Sequence, residues 1–461
     1  MNTITTQSAT KSFIDWMYSV RYEDLPGDVR KMVQLALYDG IGNIMACSML
    51  PVAHRLFNFI RLTGDSSHST VIGFPQRTSV INAALVNGTL GHADEVDAID
   101  DPDSRGNHVI AVSMAAALTA GQLAGASGSE VLRAVVLGYE LAKRVHSVAA
   151  KFKEATGTDP GPFDEGNTMG AAAVAGISLG LSPDQMDVAL SLAGHLACGI
   201  TPFKRETRHM AKSFTRGGVG AKNGVTAALM AKAGYDAPRD ILDGVQGFFH
   251  SYLGVEDPGP GFLAGLGQEY CISSLIFKRN SCGFGLQAPR QALLELITEH
   301  SLTHDEIAEI QIEMRPSDIS SYFTSQRHPA DCGDSLALAA VYGGMGFKEA
   351  HQEKFSSSTE FRAMRARIKV LPREDWANAR FRLHTSVTIS TKDGRKLTKE
   401  TDYRQMNEED LDTKFSHLVG LRVGEPKAEE LAGVLKQLDT TGNIANVMVQ
   451  LEFPEAAIEE V

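Results

Sequence analysis

The chain has 461 residues, with 44 Lys+Arg against 56 Asp+Glu and a formal net charge of −12. That balance speaks against a nucleic-acid binder working through phosphate contacts, because no block of Lys and Arg offers the basic face such binding needs. With 43% hydrophobic and 22% charged residues the composition is that of a globular protein with ample core, and the length suggests two or three domains.

The amino-terminal stretch MNTITTQSATKSFIDWMYSV lacks a basic flank followed by an apolar run, and no long uncharged apolar stretch follows. The expectation is a cytoplasmic protein with no membrane association. Cys47, Cys198, Cys271, Cys282 and Cys332 show no CxxC spacing, so most of them read as small buried hydrophobes rather than as disulfides or a zinc knuckle.

From Phe13 to about residue 265 the pattern is helical. In SEVLRAVVLGYELAKRV the apolar residues Val131, Leu132, Val135, Val136, Tyr139 and Val145 recur at three- and four-residue intervals, with Ser129 placed as an N-cap. HVIAVSMAAALTAGQLAG, TMGAAAVAGISLGLS and GAKNGVTAALMAKAGY are rich enough in Ala, Gly and Ser for close helix approach and burial on most sides. Near residue 270 the character changes: LQAPRQALLELITEHS reads as a helix, IAEIQIEM as a strand, and HTSVTISTKDGRKLTKETDY as two strands joined at Asp393-Gly394. From about Asn407 the spacing is helical again. The fold class expected is mainly α: a helical domain of residues 1–268 plus 405–461, with an α+β domain of residues 269–404 inserted.

The most unusual local feature is GHADEVDAIDDPDSRGNH. It holds Asp94, Glu95, Asp97, Asp100, Asp101 and Asp103 between His92 and His108, with Arg105 as its one cation. Three readings compete: a solvated acidic loop, a metal site of carboxylates and imidazoles, or a general acid/base loop. The run lacks both the calcium-loop and the HExxH patterns. In RHMAKSFTRGGVGAKNG, the residues Arg208, His209, Lys212, Arg216 and Lys222 precede a helix whose free amides would also attract an anion, or else form a basic surface turn. FKRNSCGFG adds Lys278 and Arg279 beside Ser281 and Cys282. Together these suggest a cationic pocket fringed by carboxylates, suited to a di- or tricarboxylate.

These residues resemble the MmgE/PrpD family, whose members include 2-methylcitrate dehydratase, cis-aconitate decarboxylase and iminodisuccinate epimerase. INAALVNGTLGHADEVDAIDD is similar to its AAxxNGxxxHxxDxDD signature, and LRAVVLGYELAKRV, TMGAAAVAGISLGLS, KSFTRGGVGAKNGVTAALMAKAGY and FKRNSCGFGLQAPRQALLEL follow in the family's order. The resemblance implies a helical domain with an α+β lid, a homodimer, and an interdomain active site without metal or cofactor. It places the acidic signature on Glu95 and Asp97, the following histidine on His108, and the two lysines on Lys212 and Lys278.

Departures accompany the likeness. Asn107-His108-Val109 stands where many relatives carry His-Pro, TDPGPFDEGNTMG lacks the histidine of cis-aconitate decarboxylases, and Thr215 replaces a further histidine. The loss of two imidazoles speaks against decarboxylation by that route. The expected chemistry is removal of a proton next to a carboxylate, with Asp97 or His108 as base or acid and Lys212 and Lys278 stabilising the charge that develops. Glu95, Arg105, Thr215, Arg216 and Cys282 are the expected substrate contacts. A 2-methylcitrate dehydratase-like activity is the first expectation. An epimerase, a decarboxylase or a non-catalytic binding protein remain open.

Overall fold

The computed structural model describes residues 8–63, 66–100, 108–158, 165–323, 328–378 and 383–455. The chain is mainly α. Its amino-terminal part packs the helices Gly27–Cys47, Val80–Gly91, Val109–Ala124, Gly128–Thr156, Glu165–Ser178, Pro183–Leu196 and Val219–Lys232 around one hydrophobic core. The apolar face read from Val131 to Val145 is buried. The N-cap of that helix is Ser127, not Ser129: the Ser127 hydroxyl accepts the Glu130 amide at 3.2 Å. Ser129 instead lies inside the first turn, hydrogen-bonded to the Ser127 hydroxyl.

The small residues permit backbones to touch. A Cβ on Gly138 would lie 2.6 Å from the Gly170 carbonyl oxygen, and one on Gly170 would lie 2.6 Å from that of Gly138. A second crossing brings Gly88 against Gly217, where an added Cβ on Gly217 would come within 1.9 Å of the Gly88 oxygen. No side chain fits at either crossing, and the second one brings the segment holding Lys212 against the helix that leads into the acidic run.

The later part has a separate core beneath a four-stranded sheet. Its strand order is Ile368–Pro372, Ile307–Met314, His384–Thr391, Lys396–Asp402, with the first pair parallel and the other pairs antiparallel. The last two strands form a hairpin whose turn holds Gly394 at φ 92°, and the helix Gln287–Glu299 covers the sheet. The chain then returns to the first core. The helix Glu408–Val423 lies on Gly27–Cys47, where Phe415 stacks on Tyr38 at 4.2 Å and the Lys414 ammonium meets Asp39 at 2.6 Å.

Among the described residues, no single helix is long and apolar enough to cross a membrane. Cys47, Cys282 and Cys332 are buried. Cys271 is half-buried and Cys198 exposed, so most of the five are buried, as expected.

Candidate active site

The described part of the acidic run, as far as Asp100, is drawn into the protein. Asp94, Glu95, Asp97 and Asp100 are each at most 3% exposed, which overturns the reading as a solvated loop for these residues. Backbone and caps hold it there. Ile99 and Ile276 exchange both backbone hydrogen bonds, the Lys414 ammonium donates to the Val96 carbonyl at 2.7 Å, and Asp100 accepts the Val109 amide at 2.9 Å. The last contact places a carboxyl at the start of the helix Val109–Ala124, and the Tyr139 hydroxyl donates to the same group. Burial is the main force raising the Asp100 pKa. Asp101 and Asp103 of the acidic run, and Arg105, an expected substrate contact, lie outside the described residues.

Each inward carboxylate has charged or hydrogen-bonding partners. Glu95 accepts from Lys278 at 3.1 Å, from His209 Nε2 at 2.9 Å and from the Lys212 ammonium. Asp97 meets Lys278 at 3.1 Å, and its Oδ2 takes His108 Nδ1 at 2.6 Å and His92 Nδ1 at 3.1 Å. Asp94 accepts from the Ser281 hydroxyl and from His351 Nε2 at 2.7 Å. Burial alone would raise the carboxyl pKa values. Lys212 and Lys278 outweigh it at Glu95, and His108 and Lys278 outweigh it at Asp97, so both sit well below the usual range. Burial likewise opposes the charge of Lys278, but Asp97 and Glu95 hold its pKa well above the ordinary value. Lys212 and Lys278 are thus paired with Glu95 and Asp97 instead of forming the purely cationic pocket expected.

The imidazoles of His108 and His92 are neutral at pH 7. Burial is the leading cause in lowering His108 to about 4 and His92 to about 3. Because ionised Asp97 only accepts, both rings place their proton on Nδ1 and keep the lone pair on Nε2. His108 is the residue before the helix Val109–Ala124 and has φ 69°, a left-handed conformation that turns the chain out of the acidic run into the helix.

The basic segment also differs from expectation. The first amides of its helical stretch are already taken by the protein's own carboxylate: Glu206 accepts from Met210, Ala211 and Lys212 at 2.7–3.1 Å. Lys212 then continues through a π-turn, Phe214–Gly218, into Val219–Lys232. The anion site expected from free amides is therefore filled internally.

The structure thus brings Glu95, Asp97, His108, Lys212 and Lys278 together. Thr215 lies half-buried in the π-turn, and Arg216 is buried with its guanidinium 5.5 Å from the Phe203 ring centre. Cys282 is seated in the second core, where its Sγ accepts from Gln287 Nε2 at 3.2 Å and burial pushes its thiol up to about 12. It is a packed neutral thiol, not the substrate contact expected.

Four functional-looking residues were not among the expected site residues: His92, His209, His328 and His351. His92 stands inside the acidic signature and His209 inside the basic segment, but neither was given a role there. His328 and His351 lie in the later part of the chain and belong to no motif. They matter because His209, His328 and His351, with Ala93, line a cavity of ≈ 940 Å³ with Arg55 and Arg208 along it.

Ligand atoms of His92, Glu95 and His209, and of His92, Asp97 and His108, lie within 4.8 Å of one another, a set that suits a divalent metal by atom type. However, Lys212 and Lys278 bond the same carboxylates. A divalent ion there would face two ammonium groups, so the donor set fits a cation already supplied by lysine better than a bound metal.

Residues 11–260 match the MmgE/PrpD N-terminal domain and residues 281–440 the MmgE/PrpD C-terminal domain. The chain is 24% identical over 353 residues to a cis-aconitate decarboxylase of Aspergillus terreus, an alignment covering 72% of this chain and 70% of that protein. It is 22% identical over 461 residues to the cis-aconitate decarboxylase of Mus musculus, covering 94% and 91%, and 22% identical over 470 residues to that of Homo sapiens, covering 97% and 95%. With both domains matched in order, and the signature acids gathered with two lysines and a histidine row, this chain belongs to the MmgE/PrpD family.

Proposed function

We propose that the protein is a lyase acting on a small di- or tricarboxylate, with a proton transfer at carbon next to a carboxylate as its central step. The observation that carries this reading is the Asp97–His108 pair beside Lys278. Asp97 fixes the His108 tautomer, which leaves Nε2 as a neutral base at pH 7, and the ammonium is placed to stabilise an enolate-like carboxylate. Lys212, with 17% of its side chain exposed, is the proposed point at which an incoming carboxylate meets the cluster.

Decarboxylation of cis-aconitate is the first activity to test, because the relatives named above carry that name at full-length coverage. The objection that imidazoles are missing loses its force: His209, His328 and His351 stand at the cavity, reached from other parts of the chain. Dehydration of a 2-methylcitrate-like hydroxy acid is the second reading, favoured by the same base and lysine geometry. In this proposal residues 1–268 plus 405–461 form the helical domain, residues 269–404 form a lid over it, and the protein works as a cytoplasmic homodimer. The two separate hydrophobic cores support the division.

The test is NMR of cis-aconitate and 2-methylcitrate with the enzyme in D2O. Carbon dioxide loss with deuterium in the product identifies a decarboxylase, and alkene formation from the hydroxy acid identifies a dehydratase. Deuterium uptake with inversion of configuration at the exchanged carbon identifies an epimerase. If His108→Ala and Lys212→Ala keep the wild-type rate, the site is misassigned.

A further inference from the structure

A polycarboxylate entering this site needs more donors than the lysines provide. Lys278 is fully buried and engaged by both Glu95 and Asp97, and Lys212 is shared with Glu95. Beyond them the cavity is lined by Arg55 and Arg208 at its exposed side and by a set of imidazoles that is part of a row crossing the site. Ring centres are 3.7 Å apart for His108 and His92, 5.2 Å for His92 and His209, 6.0 Å for His209 and His328, and 4.6 Å for His328 and His351.

Carboxylates pin most of that row. Asp97 holds His92 and His108, Glu95 holds His209, and Asp94 holds His351. His328 is anchored differently: its Nδ1 accepts the backbone N–H of Ala330 at 3.3 Å. A neutral ring that accepts at Nδ1 carries its proton on Nε2. His328 therefore has the opposite tautomer to His92 and His108, as an N–H donor where they offer lone pairs. Burial, with His351 and His209 adding to it, keeps the ring neutral.

We propose that His328 is the hydrogen-bond donor that receives a substrate carboxylate in the cavity through Nε2–H, and that the Asp94–His351 pair positions it. This rests on the polycarboxylate reading above and deepens it by assigning the receptor for a second carboxylate, one not held by the lysines. A neutral donor suits this place. It binds the ground-state anion only moderately and strengthens as negative charge builds, whereas a third buried cation would unbalance the paired charges of Glu95, Asp97, Lys212 and Lys278. His351 acts through its neighbour. With Nε2 committed to Asp94, and Asp94 held by Ser281, its ring forms a fixed wall against His328.

The experiment is calorimetric titration with tricarballylate, a saturated tricarboxylate whose binding is read without turnover, on the full chain. His328→Phe keeps ring volume without a donor and is expected to weaken binding about 10- to 100-fold, the worth of one hydrogen bond to a charged group. His328→Gln, which returns an N–H near the Nε2 position, is expected to stay within a few-fold of wild type. His351→Phe should weaken binding and His351→Gln, which keeps the donor to Asp94, should restore it. Circular dichroism confirms folding of each variant. Wild-type affinity in His328→Phe, or equal loss in His328→Gln and His328→Phe, overturns the donor assignment, and wild-type affinity in His351→Phe overturns the positioning role. Absence of binding by the wild-type protein to both tricarballylate and cis-aconitate overturns the polycarboxylate reading itself.

Discussion

Replacing His108 or His92 by asparagine tests the buried, neutral imidazoles directly. Asparagine is suited to both places: its amide N–H can take over the Nδ1 contact to Asp97, and at position 108 it tolerates the left-handed backbone. In the folded protein the two rings titrate at about 4 and about 3, against an ordinary value of about 6.5 in the unfolded chain. The unfolded state therefore binds protons first. Stability from these groups is complete above about pH 6.5 and falls as the pH drops towards the folded values. At about pH 5.5 each ring costs about 1.4 kcal/mol relative to about pH 7.5, so the pair accounts for about 3 kcal/mol of acid sensitivity. Glu95 and Asp97 do not mask this, because their depressed values make them lose stability only at lower pH, below the unfolded carboxyl range. Urea unfolding followed by far-ultraviolet circular dichroism at the two pH values measures the difference. Each single variant should lose roughly half of the pair's contribution. If wild type and both variants show the same pH dependence, the rings are not buried as neutral groups and the assignment of His108 as a neutral base fails with them.

Activity should carry the same signature: with His108 at about 4, kcat/KM for the substrate found by NMR should hold from neutral pH down to about pH 5, before an acid limb sets in. A limb centred near the ordinary histidine value would point to another base. Gly217→Ala should destabilise the protein by at least about 2 kcal/mol, since the new Cβ would lie 1.9 Å from the Gly88 oxygen, whereas Gly433→Ala, in a helix with open space around it, should be neutral or slightly stabilising. Thermal midpoints of the two variants decide this. Lys414→Met leaves buried Asp39 without its ammonium and frees the Val96 carbonyl, which should cost about 3–5 kcal/mol in urea unfolding. Adding Asp39→Asn should recover part of that loss, and no recovery would show that the ion pair is not the source.

Much of the architecture was legible because its causes are local. The helical face around Val135, the strand Ile307–Met314 and the hairpin turn at Gly394 follow from spacing and turn chemistry within a few residues. The fate of the acidic run was not legible for the opposite reason. Six acids in ten residues imply exposure unless counter-charges arrive, and those come from far along the chain: Lys212 is 117 residues from Glu95, Lys278 is 183, and Lys414 is 318 from Val96. Resemblance supplied the two lysines that approach the carboxylates. It did not supply His328 and His351, which sit where no motif marks them, nor the capture of the helix amides by Glu206, which needs the turn geometry between Glu206 and Met210.

The pairing of charges in the site bears on how it can work on an anion. A pocket with unpaired lysines would bind a tricarboxylate tightly before reaction, and that attraction would be shared by ground and transition states without speeding the chemistry. Here Lys212 and Lys278 face Glu95 and Asp97, and the rings of His92, His108 and His328 are neutral, so this cluster offers little net field at rest. When His108 takes a proton from carbon, one positive charge appears on the Asp97-held ring as one negative charge spreads into the substrate carboxylate. Asp97 attracts the charge that the ring gains, whereas Lys278, bonded to Asp97, opposes that charge and favours the negative charge on the substrate. The attraction between Asp97 and the ring therefore grows along the reaction rather than ahead of it. On this account Asp97→Asn should lower kcat much more than it raises KM, because it removes the partner of a charge that exists only after proton transfer. A variant that raised KM alone would show that Asp97 serves binding and not the proton transfer step.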